Sequence, residues 1–214
     1  KQLFKTMDQV VLVGGSGLYV NALLNGLDDL PPIDLAIRAA LNERFQAEGL
    51  EGIKAELVSL DPEYYAQVDQ FNTQRVIRGL EFVLSTGKKL SALQSNSKKI
   101  RPFNILKIGL NMERQALYNQ INKRVDNMME MGLLAEVKRL VPFSDLNALK
   151  TVGYAELFDY LNGKCSLSEA VDRIKQNTRR FAKRQLTWFR KDEEIKWFEP
   201  AQATEILNYI DGAL

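Results

Sequence analysis

The chain has 214 residues, of which 45% are apolar and 26% charged, with a formal net charge of +2. This composition is that of a globular protein with a buried core, in one large domain or two small ones, and no apolar run is long enough to span a membrane. One cysteine and no histidine exclude an internal disulfide, a cysteine-built zinc site, histidine-ligated metals and Ser-His-Asp or Cys-His catalysis.

A short apolar run, Val10–Val13, predicts a buried strand, followed by a glycine turn at Gly14–Gly17 and a helix over 18–24 that ends before Gly26. Such a strand, turn and helix presents backbone N–H groups and a hydroxyl, here of Ser16, to a phosphate or a base. No Lys-Ser or Lys-Thr follows, so this is not a Walker A motif, and a purely structural tight turn is the alternative. Because a parallel strand needs neighbours, we expect further strands in sequence upstream of this chain.

Residues 28–88 predict an all-helical block that follows a chain break at Pro31-Pro32. Helix starts are indicated at Asp34, at Asp61 followed by Pro62, and at Asn72 or Thr73. The expected inward positions are Ile37, Leu41, Phe45, Val76, Ile77, Leu80, Val83 and Leu84. Four polar side chains lie off these apolar faces: Arg38, Gln74, Arg75 and Arg78.

Polar residues at 91–101 predict a loop, and weak alternation at 105–110 predicts a strand. The helices expected next cover 113–131, 134–141, 155–161 and 167–188, and a last strand covers 195–198. The longest of these helices opens with a capping box, Ser166 to Glu169. Strands separated by helices indicate a parallel sheet with crossovers. The predicted fold class is therefore α/β, mostly helical in this chain.

Positive charge is concentrated on the longest predicted helix. From Arg173 to Lys191 the sequence has eight lysines and arginines and no acidic residue. A solvated basic face is one interpretation, but the single sign of the charge favours a surface for a polyanion such as RNA. The eight cations are Arg173, Lys175, Arg179, Arg180, Lys183, Arg184, Arg190 and Lys191.

Arg124 is predicted to face inward. At 100° per residue it points between Leu117 and Met131, at the edge of the apolar stripe of its helix. An inward arginine needs an anionic partner, because an unpaired buried charge is costly. A structural carboxylate and a bidentate phosphate or diphosphate both satisfy that need. No paired acid–base constellation is found among Glu113, Glu130 and Glu136, so no general base is assigned.

Short motifs along nearly the whole chain form an ordered set. They are Val13-Gly14-Gly15-Ser16-Gly17-Leu18-Tyr19, Leu30-Pro31-Pro32 with Arg38, Asp61-Pro62, Asn72–Arg78, Ser85-Thr86-Gly87-Lys88, Arg124-Val125-Asp126, Met131-Gly132-Leu133, Thr151-Val152-Gly153-Tyr154 and Ala182–Arg190. Together they resemble the tRNA dimethylallyltransferase (IPP-transferase) family, which prenylates an adenine next to the anticodon.

The resemblance implies a P-loop-NTPase-like parallel-sheet core, here lacking its N-terminal strands, and an all-helical insertion that clasps the anticodon stem-loop. Residues 1–27 and 89–214 would belong to the core, and 28–88 to the insertion. The implied reaction is attack of the adenine amine on dimethylallyl diphosphate, with Mg²⁺ balancing the charge of the leaving diphosphate. A cytoplasmic monomer without membrane association is implied as well.

Site residues follow by motif match. Arg124 would hold the diphosphate. The residues expected to contact tRNA are Ser16, Arg38, Gln74, Arg75, Val76, Ile77, Arg78, Lys150, Thr151, Val152, Gly153, Tyr154 and Ala155. Lys183 and Arg184 are additional candidates for contact with RNA or phosphate. The phosphate loop and general-base Asp of the family do not occur in this sequence, so no catalytic residue or metal ligand is assigned, and the chain alone is expected to be inactive.

Three other functions stay open. An adenylate dimethylallyltransferase would act on a free nucleotide, although a small substrate needs no helical clasp. A non-catalytic RNA-binding module would use the basic surfaces alone, with a steep dependence on salt. An interaction scaffold would bind neither ligand, and Arg124 would then pair with a structural carboxylate.

Overall fold

A computed structural model describes residues 2–93 and 99–213. Its helices are α1 (Gly17–Asn25), α2 (Leu35–Glu48), α3 (Glu51–Leu60), α4 (Pro62–Gln67), α5 (Thr73–Thr86), α6 (Leu90–Leu93), α7 (Arg114–Glu130), α8 (Leu133–Leu140), α9 (Tyr154–Leu161), α10 (Leu167–Phe189) and α11 (Ala203–Asp211). Its strands are β1 (Ile108–Leu110) and β2 (Lys196–Phe198), and short 3-10 turns lie at Leu3–Lys5, Val141–Phe143 and Asn147–Leu149. None of the described helices has the length and apolar character needed to cross a membrane.

The chain forms two compact units. Residues 21–102 make one, called here the helical unit. Residues up to 20 and from 103 onward make the other, called here the discontinuous unit. The predicted helical block, 28–88, lies inside the helical unit, which extends beyond it on both sides.

The helical unit is built around the apolar face of α5. Val76, Ile77 and Leu80 are buried there together with Leu41 of α2, as the spacing predicts. Ile37 and Phe45 are partly buried against the same core, and Ile53 and Leu57 of α3 complete it. Leu84 is predicted inward but is exposed, since it lies in the last turn of α5 and Phe82 fills the core instead.

Local signals in the sequence explain where these helices begin and end. The Asp34 carboxylate accepts from the N–H of Ala36 at 2.8 Å, and the Asn72 side chain accepts from the N–H of Arg75 at 3.2 Å. Each satisfies a donor that the first turn of a helix leaves unpaired. Gly87 ends α5 in the left-handed region, at φ +65°. The predicted caps are thus confirmed.

Asp61 joins two helices of this unit from a fully buried position. Its Oδ1 accepts from the N–H of Tyr64 at 3.1 Å and from Ser91 Oγ at 2.6 Å, and its Oδ2 accepts from the N–H of Ser91 at 3.0 Å. Burial acts to raise the pKa of Asp61, but the hydrogen bonds from Ser91 and Tyr64 outweigh it and lower the pKa below its usual value.

The same contact corrects the loop predicted over 91–101. Leu90–Leu93 is helical, because the Asp61 carboxylate holds the backbone of Ser91 in place and Leu90 is buried in the core. Part of the predicted loop, 94–98, lies outside the described residues.

In the discontinuous unit, β1 and β2 pair in parallel, with Gly109 opposite Trp197. The predicted parallel pairing is confirmed for these strands, which are shorter than the sequence indicates. Lys107 next to β1 is bound through Nζ to Asp192 at 2.7 Å and to Glu194 at 2.6 Å. Burial acts to lower the pKa of Lys107, but these two carboxylates outweigh it and raise the pKa. Helix α11, which the sequence analysis missed, follows β2 and packs Tyr209 against Phe198.

The strand predicted at Val10–Val13 is wrong for this structure. The segment has no regular secondary structure, and Val11 and Val13 are 86% and 88% exposed. A strand is stabilised by hydrogen bonds to a neighbouring strand, and no described residue supplies that neighbour. The apolar run therefore stays in water.

A second apolar core connects α7, α8, α9 and α10. It buries Val125, Val137, Leu157 and Ile174 almost completely. The capping box predicted at the start of α10 is present, with the Ser166 hydroxyl and the Glu169 carboxylate serving each other's backbone N–H. Helix α10 is thereby held on one side, and its opposite side faces water.

We expect Asp61→Asn to lower the free energy of unfolding by about 2 kcal/mol, because the amide N–H₂ would face N–H or O–H donors from which the carboxylate now accepts hydrogen bonds. Since the folded state lowers the pKa of Asp61, its carboxylate contributes fully above the unfolded value of about 4 and the contribution fades as pH falls below it. Urea unfolding of both proteins from pH 7 to 3 measures this. Curves that stay equally separated down to pH 3 would contradict it, and Asp145→Asn, at an exposed position, is the control.

Candidate nucleic-acid interface

The glycine turn, Gly14–Gly17, packs against the C-terminal half of α10. Gln185 Nε2 donates to the carbonyl oxygen of Gly15 at 2.7 Å. A Cβ on Gly15 would overlap the Gln185 amide, and a Cβ on Gly17 would overlap the indole of Trp188. The absence of a Cβ at these two positions lets the backbone approach the helix closely, most tightly against the rigid indole of Trp188.

Ser16 is the side chain that this turn presents. It is exposed, and its carbonyl oxygen accepts from the N–H of Val20 at 3.0 Å as α1 begins. The turn thus places a hydroxyl at the start of a helix and next to α10, where the sequence analysis expects a tRNA contact.

Helix α10 presents an unneutralised cationic surface, called here the basic face. It comprises five exposed side chains without an ion-pair partner in the described part of the chain: Arg180, Lys183, Arg184, Arg190 and Lys191. Arg184 lies over the ring of Phe181, with its Cζ 5.8 Å from the ring centroid. Such a surface attracts phosphates, and its aromatic ring offers a stacking platform.

Two other cations of α10 contact α7, while Arg173 is exposed and lies near Glu169 of its own helix. Lys175 forms an ion pair with Asp126 at 2.6 Å, and Arg179 donates to Asn122 Oδ1 at 2.6 Å. These contacts fasten α10 to α7. The single-sign stretch of the sequence therefore divides into a structural part and the basic face.

Arg124 does not face inward, contrary to the prediction. Its side chain is exposed on α7, which buries Ile121 and Val125 instead. Met131, one of the two residues that define the predicted stripe edge, is 88% exposed. The edge of that stripe lies in water, so no buried anion is needed to explain Arg124. Its contact with diphosphate stays a prediction.

The turn at 150–155 is organised by a carboxylate that follows it. Glu156 is 7% exposed, and its Oε2 accepts from the N–H of Gly153 at 2.8 Å while Oε1 accepts from Asn177 Nδ2 of α10 at 2.7 Å. Gly153 has φ +103°, a conformation that favours glycine. The Tyr154 hydroxyl donates a hydrogen bond to the Glu136 carboxylate, which raises the pKa of Tyr154.

The residues of this turn that are predicted to contact tRNA differ in their exposure to water. Lys150, Thr151, Val152 and Ala155 are exposed. Gly153 is buried and shapes the turn, and its contact with tRNA stays a prediction.

A second group of predicted residues converges in the helical unit on Glu81 of α5. Arg38 donates from Nη1 to Glu81 Oε2 at 2.6 Å and from Nη2 to Gln74 Oε1 at 3.2 Å. Arg78 donates from Nη1 to the same Glu81 oxygen at 3.2 Å. Arg75 is exposed nearby on α5. The structure thus brings Arg38, Gln74 and Arg78 together.

Val76 and Ile77 are also predicted to contact tRNA, and the structure corrects this for their side chains. Both are essentially inaccessible to water in the core of the helical unit. They lie on the face of α5 that packs against α2 and α3, opposite the exposed side chains of Gln74 and Arg75.

No buried carboxylate of the described residues is available as a general base. Asp61, Glu81 and Glu156 each accept hydrogen bonds from at least two donors. The described residues contain no group of three side chains able to hold a metal ion. Because Mg²⁺ is usually held by one or two carboxylates together with substrate phosphates, a bound Mg²⁺ stays a proposal.

Sequence reasoning missed Glu81 and Glu156 as site residues. Each had a local signal, since Glu81 stands three residues after Arg78 and Glu156 three residues after Gly153. The first spacing places two side chains on one helix face, and the second is that of a capping box.

We expect Glu156→Gln to lower the free energy of unfolding by about 1–3 kcal/mol, because an amide cannot accept on both sides and leaves one buried donor unsatisfied. Urea unfolding of the wild type and the variant measures the loss. Glu130→Gln, at an exposed site, should stay within about 0.5 kcal/mol of the wild type. Equal stability of Glu156→Gln and the wild type would show that the carboxylate does not hold the turn.

Comparison with known proteins gives a consistent result. The tRNA dimethylallyltransferase 1 of Bacteroides thetaiotaomicron is 50% identical over 209 residues, which are 98% of this chain and 68% of that protein. The tRNA dimethylallyltransferase of Christiangramia forsetii is 48% identical over 215 residues, covering all of this chain and 71% of that protein.

Solved structures of similar proteins extend this result to the fold. The full-length tRNA isopentenylpyrophosphate transferase of Bacillus halodurans superposes with a TM-score of 0.57 at 38% identity, over 92% of this chain and 63% of that one. A eukaryotic dimethylallyltransferase acting on tRNA gives a TM-score of 0.66 at 25% identity, over 87% of this chain and 50% of that one. The family model for IPP transferases matches residues 1–192, and the chain belongs to this family.

Proposed function

We propose that this chain supplies the tRNA-binding surface for dimethylallyl transfer to the N6 amine of the adenine next to the anticodon. The observation that carries the proposal is the packing of the glycine turn on α10, which sets the exposed Ser16 next to the helix that carries the basic face. The names of the relatives support both the donor and the acceptor. The monomeric state, the cytoplasmic location and the anticodon stem-loop as the RNA element belong to the same proposal.

In the proposed reaction the N6 lone pair forms a bond with the allylic carbon of dimethylallyl diphosphate. The C–O bond breaks, diphosphate leaves with the electron pair, and the N6 proton passes to solvent water. Negative charge grows on the departing oxygen, so a positioned cation lowers the barrier. We assign this contact to Arg124, whose guanidinium is exposed and has no ion-pair partner in the described residues. When bound, Mg²⁺ would balance the charge of the diphosphate.

The remaining work of the chain is recognition and orientation. The target adenine must leave its stack to reach a donor molecule. Ser16 and the exposed residues of the 150–155 turn are proposed to hold the displaced nucleotide, while the basic face neutralises flanking phosphates. Holding two reactants in attack geometry is itself a large part of the catalysis of such a transfer.

We expect the double variant Lys183→Ala with Arg184→Ala to bind an anticodon stem-loop about tenfold more weakly. The plot of the logarithm of the binding constant against log [KCl] should also become shallower by about 1.5, because two phosphate contacts are lost. Fluorescence anisotropy with labelled RNA at several salt concentrations measures both quantities. Lys164→Ala, which removes an exposed lysine outside the basic face, should leave them unchanged. A double variant with the wild-type slope would contradict the proposed role of these residues.

We expect the 214-residue chain alone to transfer no label from radioactive dimethylallyl diphosphate to the stem-loop, because the phosphate loop and general-base Asp that the family resemblance implies do not occur in this sequence. The full-length enzyme of Bacteroides thetaiotaomicron serves as the positive control. Product on the stem-loop would overturn the expected inactivity. Product on free AMP alone would identify an adenylate dimethylallyltransferase, and salt-sensitive RNA binding indifferent to the donor would indicate a non-catalytic RNA-binding module.

A further inference from the structure

Glu81 is a carboxylate that the family resemblance does not explain. It lies on α5 with only 2% of its surface exposed. Its Oε2 accepts from Arg38 at 2.6 Å and from Arg78 at 3.2 Å, so one buried oxygen holds two guanidinium groups. A buried charge of this kind is costly unless it is paired and hydrogen-bonded.

The two arginines are held at their inner edges while their outer edges face water. Their side chains are 31% and 44% exposed, against 3% for the Glu81 side chain. A guanidinium has five N–H donors. Arg38 uses Nη1 for Glu81 and Nη2 for Gln74, and Arg78 uses Nη1 for Glu81. Donors remain on both groups, and they lie at the surface.

Oε2 of Glu81 also counteracts the repulsion between the guanidinium groups of Arg38 and Arg78. Arg38 belongs to α2 and Arg78 to α5, and their like charges repel. With Glu81 between them the two groups stay side by side, and the rotamer entropy of two long side chains is lost on folding and not on binding. Preorganisation of this kind increases affinity without adding a contact.

We propose that Glu81 is a positioning residue that holds Arg38 and Arg78 as a two-arginine clamp for a phosphodiester of RNA. Guanidinium groups suit this ligand because their planar donors match phosphate oxygens. The inference rests on the proposed function, in that it requires the helical unit to contact RNA.

The direction in which Glu81→Gln changes the affinity for RNA distinguishes this proposal from an effect of net charge alone. The substitution removes a negative charge from an RNA-binding surface, which by electrostatics alone should tighten binding. The clamp instead loses its charge-assisted bonds, and the amide N–H₂ repels one guanidinium. We therefore expect about tenfold weaker binding of the anticodon stem-loop, measured by fluorescence anisotropy.

A double-mutant cycle shows whether Glu81 acts through Arg38. In an Arg38→Gln background the clamp is already lost, so Glu81→Gln should change the affinity by less than about twofold. Glu56→Gln is the matched control, since Glu56 pairs with Arg44 at 2.5 Å in the same helical unit and neither residue is predicted to contact RNA. That variant should bind as tightly as the wild type or slightly more tightly.

The outcomes are distinguishable. A wild-type chain that binds no RNA refutes the proposed function. If the wild type binds RNA and Glu81→Gln binds it equally or more tightly, the clamp alone is refuted. An equal loss of RNA affinity on Glu81→Gln in the wild-type and the Arg38→Gln backgrounds also refutes the clamp, because it would be an effect on folding. If circular dichroism shows that Glu81→Gln is unfolded, Arg38→Gln and Arg78→Gln replace it. The clamp is supported if the double variant loses less RNA affinity than the sum of the losses of the two single variants. Additive losses of affinity overturn it.

Discussion

Three buried carboxylates set the geometry on which the proposed interface depends. Asp61 ties the start of α4 to α6, Glu81 ties α2 to α5, and Glu156 ties the turn before α9 to α10. Each oxygen that is buried must be matched by a donor, so a shift of either partner would strand a charge. The hydrogen bonds of these carboxylates thus fix the spacing of neighbouring elements. Two of the three also lie directly behind residues proposed to meet RNA.

The glycine turn shows how one short motif can serve packing and recognition together. Gly15 and Gly17 lack side chains because Gln185 and Trp188 occupy the space where a Cβ would stand. Ser16, between them, faces outward as a consequence. In a phosphate loop the glycines make room for the ligand, whereas here they make room for a helix. That fit places Ser16 next to the helix that carries the basic face.

Features governed by near neighbours in the chain could be predicted from the sequence, and features governed by distant partners could not. The caps at Asp34, Asn72 and Ser166 and the apolar face of α5 depend on spacings of a few residues. Val10–Val13 has the composition of a strand, but a strand exists only beside another. The inward prediction for Arg124 took Met131 as part of a buried stripe, and Met131 is exposed. The partner that makes Glu81 important, Arg38, lies 43 residues away, beyond the reach of any local pattern.

The bond between Gln185 and Gly15 spans 170 positions, and the whole helical unit is encoded between its two ends. Contacts of such long range carry a large loop-closure cost until the intervening segment has become compact. During synthesis the helical unit is complete long before α10 leaves the ribosome, so it can acquire its core first. The packing of the Ser16 turn on α10 can therefore form only after the helical unit has been synthesised. A chain that ends before α10 therefore contains the whole helical unit, with Arg38, Arg78 and Glu81, but lacks the helix against which the Ser16 turn packs.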